Sequence, residues 1–413
     1  MAGLSAPIAL LSLALALAPA GARAQDRPAG ARPTLLFPPL ALADAGDREF
    51  RATVLRDLKD SGVFHLVSPA AGGAGTDLMF QFVSHTLARG RLLIEGQCVN
   101  MATGAVILKQ RLVGQTAVVD RMAHRMVDFL VGKVTGTPGV ADSSIVFART
   151  TAPGIKEIFG VDRDGRNLRQ LTAFGSLTIQ PAVSRDGRLA FVTYKGGPPQ
   201  IWGQLTPAGP FRLIYPRASA AGTALSDLAW SPDGRRLCFV QESRLGLAEL
   251  QVLDLDSGRV ARLTEGGASR GPCWSPDGGA IAFISDREGI PQVFVVAGGG
   301  GQPRRLTFDP APKGRVAWNA KGDLAFSAAA GGRSELFTLA PDGTGRREVL
   351  SAPEPVVSLC WAPDGRSLLV GLQADGATRL GVAAMDGKLQ DLGLEDGQWP
   401  QWVRNPVPAS RSL

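Results

Sequence analysis

Short apolar runs separated by turn residues fill the last two-thirds of the chain, and one turn phrase recurs among them. The phrase is Trp-Ser-Pro-Asp-Gly or a variant of it, at Trp230–Gly234, Trp274–Gly278, Trp318–Gly322 and Trp361–Gly365. The tryptophans stand roughly 44 residues apart, a period typical of β-propeller blades. Two more divergent copies of the phrase begin at Val183 and at Trp402.

Each period contains four strand candidates, and the turn phrase lies between the first and the second. In the fourth period these strands are expected at 271–274, 280–284, 291–297 and 303–307. Proline fixes φ in the turn, aspartate bonds back to the backbone, and glycine takes the left-handed conformation. The tryptophan ends the innermost strand, where its ring can fill the wedge between two blades. We therefore predict structural roles for Trp230, Asp233, Gly234, Trp274, Asp277, Gly278, Trp318, Gly322, Trp361, Asp364, Gly365 and Trp402.

The first and last segments of the repeat region complement each other. Strands expected at 145–149, 155–161 and 168–172 form a blade without its innermost strand, and 399–403 forms an innermost strand without its blade. Pairing of the two would close the ring and protect its edges. The sequence therefore predicts an all-β six-bladed propeller over residues 143–405, closed by the C-terminal strand.

Residues 33–135 lack the repeat and follow a different pattern. A helix is expected from Asp47 to about Ser61, and a second from about Ala117 to Val131, where apolar residues recur at three-and-four spacing. Five short strand candidates accompany the helices. These patterns predict a small α/β N-terminal domain of two helices on one mixed sheet. A linker at 136–142 is expected to join it to the propeller.

The N-terminal residues have the composition of a secretory signal. Ile8–Leu17 is apolar but too short to span a membrane, and Ala22-Arg23-Ala24 offers a small-x-small cleavage site before Gln25. We predict that the mature protein is soluble, exported to the periplasm and free of membrane-inserted segments. The expected terminal segments are a signal peptide over 1–24, a flexible mature N-terminus over 25–32 and a disordered tail over 406–413.

The charge distribution and the cysteine positions argue against a nucleic-acid site and against disulfides. The chain has 413 residues, and 44 basic against 37 acidic residues give a formal net charge of +7 at pH 7. The basic residues are scattered, which favours a solubilising surface over a nucleic-acid site. Cys273 and Cys360 stand at equivalent positions two blades apart, farther than a disulfide allows. Together with Cys98 and Cys238 they are expected to be buried free thiols.

Motifs that suggest catalysis have simpler structural explanations. Gly267–Gly271 matches the G-x-S-x-G nucleophile elbow, but the segment leads into an inner strand and no helix follows it. The histidines His65, His85 and His124 all lie in the small domain. We predict no catalytic residue, no cofactor and no metal. Two alternatives stay open: an exported propeller hydrolase or lyase that uses the central pocket, and a ligand-sensing propeller.

The order of signal, small α/β domain and six-bladed propeller resembles the TolB family of the Tol–Pal system. Asp57–Phe64 is similar to the family's helix-to-strand segment, and Phe129–Gly136 is similar to its domain junction. Ser285–Phe294, continued by Gly300–Thr307, resembles its most characteristic propeller segment. The chain departs from the family at residues 25–33, which lack the alternating apolar and basic run common there.

The resemblance implies a non-enzymatic periplasmic adaptor that supports outer-membrane integrity and cell division. Such proteins bind the peptidoglycan-associated lipoprotein Pal through the propeller and the inner-membrane protein TolA through the mature N-terminus. A monomer is expected. A partner should dock where the loops that enter the innermost strands surround the central opening. From these loops we predict partner contacts for Gln180, Asp227, Ser269, Arg270, Lys313, Glu354, Gln398 and Trp399. Charge reversal at Arg270 or Lys313 is expected to weaken binding without loss of folding.

Overall fold

The computed structural model describes residues 32–38, 45–67, 76–216, 224–242 and 246–405. The predicted signal peptide, almost all of the mature N-terminal segment and the C-terminal tail lie outside the described residues. The chain divides into two compact units, 1–139 and 140–413. Within the described ranges, neither α-helix combines the length and apolarity that a membrane crossing requires.

The first unit has two helices packed on a five-stranded mixed sheet, which confirms the predicted α/β class. Its elements are β1 Thr34–Leu36, α1 Ala45–Asp60, β2 His65–Val67, β3 Leu78–Leu87, β4 Arg91–Asn100, β5 Val106–Gln115 and α2 Val119–Thr135. The strand order is β2-β1-β3-β4-β5. β1 runs parallel to both of its neighbours, and the other pairs are antiparallel.

The core of the first unit lies between the helices and one face of the sheet. Phe50, Val54 and Leu58 of α1 recur at four-residue spacing, and all three are fully buried. Met126 of α2 packs over Gly96 of β4, where an added Cβ would lie 2.6 Å from the methionine sulfur. One apolar stripe on each helix therefore fixes how that helix sits on the sheet.

The second unit is a propeller of six four-stranded antiparallel sheets, which confirms the predicted architecture. Its strands are β6 Ser143–Ala152, β7 Ile155–Asp162, β8 Arg169–Gln170, β9 Thr178–Val183, β10 Leu189–Thr193, β11 Gln200–Gln204, β12 Phe211–Tyr215, β13 Ala224–Trp230, β14 Arg236–Glu242, β15 Ala248–Asp254, β16 Val260–Arg262, β17 Ser269–Trp274, β18 Ala280–Ser285, β19 Gln292–Ala297, β20 Arg304–Arg305, β21 Lys313–Trp318, β22 Leu324–Ala330, β23 Arg333–Leu339, β24 Arg347–Ala352, β25 Val356–Trp361, β26 Ser367–Ala374, β27 Ala377–Ala384, β28 Leu389–Glu395 and β29 Gln398–Arg404. Blade 1 has the order β29-β6-β7-β8, and blades 2 to 6 take the remaining strands in groups of four along the chain.

The C-terminal strand closes the ring, as predicted. β29 pairs antiparallel with β6, and Trp402 lies opposite Ile145 in the register. Asn405 continues the closure, because its Nδ2 donates to Asp142 Oδ1 at 2.9 Å. Blade 1 is therefore built from both ends of the second unit, with its innermost strand supplied by the C-terminal end.

Four repeat tryptophans fill wedges between adjacent blades. The indole N–H groups of Trp230, Trp274 and Trp361 donate to main-chain carbonyls of the preceding inner strand at 3.1, 3.1 and 3.2 Å. The indole of Trp402 donates to Ser143 Oγ at 2.8 Å. All four residues are buried among apolar residues of two blades. In the first three residues the indole bond also joins two adjacent blades, whereas the Trp402 bond lies within blade 1, between β29 and β6.

The turn phrase forms a compact hydrogen-bonded turn. Gly234 has φ +67°, and its N–H donates to Ser231 O at 2.9 Å. Asp233 Oδ1 accepts from Ser231 Oγ at 2.5 Å and from the N–H of Arg235 at 3.0 Å. The variant phrase that starts at Trp318 lacks the aspartate. There Asn319 Oδ1 accepts two main-chain N–H groups, each at 2.9 Å, so an amide oxygen replaces the missing carboxylate.

The turn aspartates should make the protein sensitive to acid. Hydrogen bonds from Ser231 and from the Arg235 N–H hold the pKa of Asp233 below its ordinary value, and Ser275 acts in the same way on the pKa of Asp277. A carboxyl group with a lowered folded-state pKa stabilises the fold above about pH 4 and loses that contribution as the pH falls through the folded value. We expect the thermal midpoint to fall between about pH 5 and pH 3.

The matching measurement is thermal unfolding across this pH range for the wild type and the double variant Asp233→Asn, Asp277→Asn. The double variant should be less stable at neutral pH and should show a shallower acid slope, because asparagine does not titrate. Asp256→Asn is the control, since Asp256 is 70% exposed and pairs with the exposed Arg235 at 3.4 Å. Parallel slopes for the wild type and the double variant would contradict this account.

Candidate interaction site at the channel mouth

A channel runs between the six inner strands of the propeller. Its wider part, about 700 Å³, is lined by the ends of the inner strands and by the turn phrases that follow them. Its narrower part, about 100 Å³, lies nearer the starts of these strands. The two parts adjoin, because Leu228, Pro272, Val316, Leu359 and Gln401 line both of them. We call the face on which the inner strands begin the upstream face, and the narrower part the channel mouth.

Each inner strand contributes one residue to the channel mouth at the same repeat position, three residues before the tryptophan or its equivalent. These mouth residues are Gln180, Asp227, Gly271, Arg315, Ser358 and Trp399. In all but the Ser358 strand, the position falls within a break in pairing between the inner and second strands. A break of this kind bends the strand and redirects a side chain, which places these residues around the opening.

Four of the mouth residues have a left-handed backbone. The φ angles are +53° at Gln180, +51° at Asp227, +57° at Gly271 and +50° at Trp399. Glycine adopts this conformation freely, whereas each of the other three carries strain of about 1–3 kcal/mol. Such strain persists only where the surrounding structure enforces it, and it is concentrated at functional sites.

Hydrogen bonds between blades hold the mouth in this conformation. The N–H of Asp227 donates to Gln180 Oε1 at 2.9 Å, and the N–H of Gly271 donates to Asp227 Oδ2 at 2.9 Å. Arg315 Nε donates to Val357 O at 2.8 Å. The first two bonds join blades 2, 3 and 4, and the third joins blades 5 and 6. The mouth residues are therefore positioned before any partner arrives.

The mouth presents opposite charges beside an indole ring. Arg315 Nη1 lies 3.6 Å from Asp227 Oδ1, so the pair connects blade 5 with blade 3 past the intervening blade. The Arg315 side chain is 31% exposed and that of Asp227 is 13% exposed. Trp399 lines the same cavity. Arginine and tryptophan are the residue types most enriched at the energetic centres of protein interfaces, so this arrangement suits contact with another protein.

The structure brings three of the eight predicted contact residues together. Gln180, Asp227 and Trp399 all line the channel mouth. The remaining five do not line it. Among them, Arg270 is 53% exposed and lies 3.8 Å from a carboxylate oxygen of Glu242. Two more are held by neighbouring side chains: Glu354 accepts from Arg379 at 2.9 Å and Gln398 donates to Asp396 at 3.2 Å. Partner contacts by Arg270, Glu354 and Gln398 stay predictions.

Two further residues of the predicted contact set, Ser269 and Lys313, are buried. Ser269 is fully buried, and its Oγ accepts from Arg287 at 3.3 Å. The Lys313 side chain is also fully buried and donates to Asp309 Oδ1 at 2.6 Å. Neither side chain is exposed to a protein docked on the upstream face. The cause is the same in both cases, because a loop residue that starts an inner strand can point into the blade rather than toward solvent.

Sequence reasoning missed Arg315 and Ser358 as mouth residues. The signal that could have found them is the repeat register, since both stand three positions before a repeat tryptophan. Gly271 shares that register. Ser358 is 7% exposed, and its Oγ has no hydrogen-bond partner in the described part of the chain.

The histidines and the serine of the G-x-S-x-G match, which could suggest an enzyme, do not line the channel mouth. His124 is buried in the first unit, where its Nδ1 lies 2.6 Å from Asp57 Oδ2, and His65 and His85 are exposed there. Across the described ranges, no group of three or more histidine, cysteine or acidic residues is arranged to hold a metal ion. Ser269 of the G-x-S-x-G match begins β17, so the segment leads into an inner strand as predicted.

All four cysteines are free, as expected; Cys98 and Cys238 are also buried, whereas Cys273 and Cys360 are half-buried. Burial raises the pKa of the Cys98 and Cys273 thiols to about 12 and that of Cys360 to about 11. These thiols therefore stay protonated and unreactive near neutral pH.

The fold defines a class: a small α/β domain followed by a six-bladed propeller whose channel mouth is held by hydrogen bonds between blades. The family described as the TolB beta propeller domain matches residues 131–405, so the chain belongs to this family.

Individual relatives agree with this assignment. A Protein TolB homolog from Chlorobium chlorochromatii is 34% identical over 200 residues, which cover 48% of this chain and 44% of the relative. The Tol-Pal system protein TolB from Anaeromyxobacter dehalogenans is 31% identical over 286 residues, which cover 62% of this chain and 64% of the relative. The matched regions thus span less than two thirds of these relatives.

A solved structure supports the same fold. TolB from Acinetobacter baumannii superimposes with a TM-score of 0.78 at 20% identity, covering 90% of this chain and 97% of that one. At this level of identity the likeness establishes the shared architecture and nothing more specific.

Proposed function

We propose that this protein is a non-enzymatic periplasmic adaptor of a Tol–Pal complex, and that it binds a Pal-like peptidoglycan-associated lipoprotein through the upstream face of the propeller. In this role it would support outer-membrane integrity and cell division. Export would follow cleavage between Ala24 and Gln25. A TolA-like inner-membrane protein is the second expected partner, through residues 25–32.

The observation that carries the proposal is the preformed channel mouth. Asp227 and Trp399 are held there in a strained backbone conformation, and Arg315 is fixed by its bond to the next blade. A site that is ordered before binding loses less conformational entropy when a partner docks. Family membership supports the Tol–Pal context, because curated relatives are named as proteins of that system.

The decisive experiment measures binding of the mature protein to the soluble domain of the Pal-like lipoprotein from the same organism. Two variants, Arg315→Gln and Trp399→Ser, each remove one mouth side chain. We expect each to weaken binding by about tenfold or more, since both residue types dominate interface energetics. Isothermal titration calorimetry gives the dissociation constants, and thermal unfolding reports whether each variant stays folded.

Arg235→Gln is the matched control for Arg315→Gln. Arg235 is 72% exposed and directly follows the turn phrase of blade 3, at the opposite end of the channel. Its replacement should leave the dissociation constant unchanged within about twofold, because an exposed ion pair such as Arg235–Asp256 contributes little and lies away from the upstream face. Weak complexes have dissociation constants of about tens of micromolar. If the wild-type protein shows no binding in this concentration range, the proposal that the lipoprotein is the partner is refuted.

A further inference from the structure

The channel mouth is too small to account for a stable protein complex by itself. A typical specific interface uses about 20–30 residues on each partner, whereas 13 residues line the cavity at the channel mouth. A partner that inserts a group into the mouth must therefore also rest on the surrounding upstream face. The apolar side chains exposed on that face are the candidates for a second anchor.

Blade 4 carries the most prominent of these side chains. Phe308 is 74% exposed, more than any other large hydrophobic residue in the described ranges. It lies in the loop between β20 and β21, which leads to Arg315 at the channel mouth seven positions later. Ile290, 45% exposed, lies in the β18–β19 loop. The inner strand of each blade begins at the upstream face, and adjacent strands run antiparallel. The second and fourth strands therefore end at that face, which places both the β18–β19 loop and the β20–β21 loop there.

The two loops are tied together, so Phe308 is presented from a fixed support. The buried side chain of Gln292 donates from Nε2 to Asp309 O at 2.9 Å, next to Phe308 in the chain. The Arg305 guanidinium lies 5.0 Å from the centre of the Phe308 ring, and its Nη1 lies 2.9 Å from Glu288 Oε2. A held aromatic ring flanked by polar groups is a typical interface anchor, because little freedom remains to be lost on binding.

We propose that Phe308, with Ile290 in the adjoining loop, is a second anchor for the protein that occupies the channel mouth. The ring enters an apolar pocket on the globular domain of the Pal-like lipoprotein, and the Arg305–Glu288 pair lies at the edge of this contact. The proposal rests on the function proposed above. It adds a specificity-determining residue outside the channel and predicts an apolar recess on the partner.

The test uses the full mature protein and the same soluble lipoprotein domain. Phe308→Ala should raise the dissociation constant by about tenfold or more, whereas Phe308→Leu, which keeps an apolar side chain, should restore most of the affinity. Because Phe308 is exposed, neither change should move the thermal midpoint. Leu205→Ala is the control: Leu205 is 50% exposed but lies in the β11–β12 loop on the opposite face, and binding should change less than about twofold.

The outcomes separate the second anchor from the proposed function. If Trp399→Ser weakens binding while Phe308→Ala leaves it unchanged, the second anchor is refuted and the lipoprotein remains the partner. If Phe308→Ala instead reduces self-association of the purified protein and spares lipoprotein binding, the ring belongs to a contact between copies, and the proposal is likewise overturned. A wild-type protein that does not bind the lipoprotein refutes both proposals.

Discussion

Replacing Trp361 with alanine should lower the free energy of unfolding by about 3–5 kcal/mol, the usual cost of deleting a buried aromatic side chain. Trp361 is 7% exposed and lies in a core cluster with residues of blades 5 and 6, including Ala317 and Leu368. Its indole N–H donates to Ala317 O at 3.2 Å. The variant therefore loses both the filled wedge and a bond between adjacent blades.

The same change at Trp318 should cost less than half as much. Trp318 is only partly buried and packs at the edge of its core cluster. Its indole N–H donates to Gly322 O at 2.7 Å, within its own turn, rather than to the preceding blade. The two substitutions remove the same atoms, so the difference between their effects measures the greater burial of Trp361 and its interblade bond together.

Urea unfolding followed by tryptophan fluorescence and by circular dichroism would measure both effects. Agreement between the two probes is needed before free energies are compared, because a two-domain chain need not unfold in a single step. Trp361→Phe serves as a further control, since it keeps most of the ring volume but removes the indole N–H. Equal losses at Trp361 and Trp318 would show that the interblade bond does not distinguish these positions.

The architecture could be predicted because its signals are local and repeated. Proline, aspartate and glycine mark the turns after Trp230, Trp274 and Trp361, and the complementary fragments near Ile145 and Trp402 indicate the closure of the ring. The strand lengths of the first unit could not be read in the same way. β3 runs on to Leu87 and β4 starts at Arg91, because the two strands pair along their full length. The last three residues of β3 are exposed, so no buried apolar alternation marks the end of this strand in the sequence.

The channel mouth was harder to predict, because its six positions share a register but no chemistry. Glutamine, aspartate, glycine, arginine, serine and tryptophan each occupy it once. A motif search therefore has nothing to match, and a loop-based prediction selects residues by their position in a turn. Five of the six residues share one backbone property: they are not paired with the second strand of their blade, and only Ser358 keeps its pairing. This loss of pairing can be recognised only from the hydrogen-bond register between the innermost strand and the second strand of a blade, which requires the structure.

Lys313 shows why a charged loop residue can be misjudged from sequence. A lysine that follows a proline in a loop is expected to be exposed. Here its ammonium group is enclosed by Asp309 and the carbonyl of Ala311. Arg346, which precedes β24, donates to the other oxygen of Asp309 at 2.8 Å. Asp309 lies in the loop between β20 and β21, and Arg346 reaches it from the β23–β24 loop of blade 5, a long-range contact of this triad that no local pattern encodes.

Electrostatics within the triad agree with a structural role. Burial lowers the pKa of the Lys313 ammonium, although Asp309 opposes this effect. Burial also tends to raise the pKa of Asp309, but the hydrogen bond and charge of Lys313, together with the charge of Arg346, hold it below its ordinary value. The carboxylate therefore stays ionised at neutral pH and depends on both cations.

Lys313→Glu should consequently destabilise the protein by about 3–5 kcal/mol, the cost of breaking a buried ion pair and leaving a charge unpaired. The variant would place a second carboxylate against Asp309 and leave the carbonyl of Ala311 without its donor. Lys313→Met should cost less, about 1–3 kcal/mol, because Arg346 still neutralises Asp309. Arg270→Glu is the surface comparison, since that side chain is 53% exposed, and its effect on stability should stay within about 0.5 kcal/mol.

Thermal and urea unfolding of the three variants would rank these effects, and lipoprotein binding would be measured at a temperature where each variant is folded. The expected order of stability is Arg270→Glu above Lys313→Met above Lys313→Glu. If Lys313→Glu kept wild-type stability and lost only lipoprotein binding, the buried triad would not exist in solution and Lys313 would be a surface contact. The stability ranking therefore determines whether this charge belongs to the interior of the propeller or to its docking face.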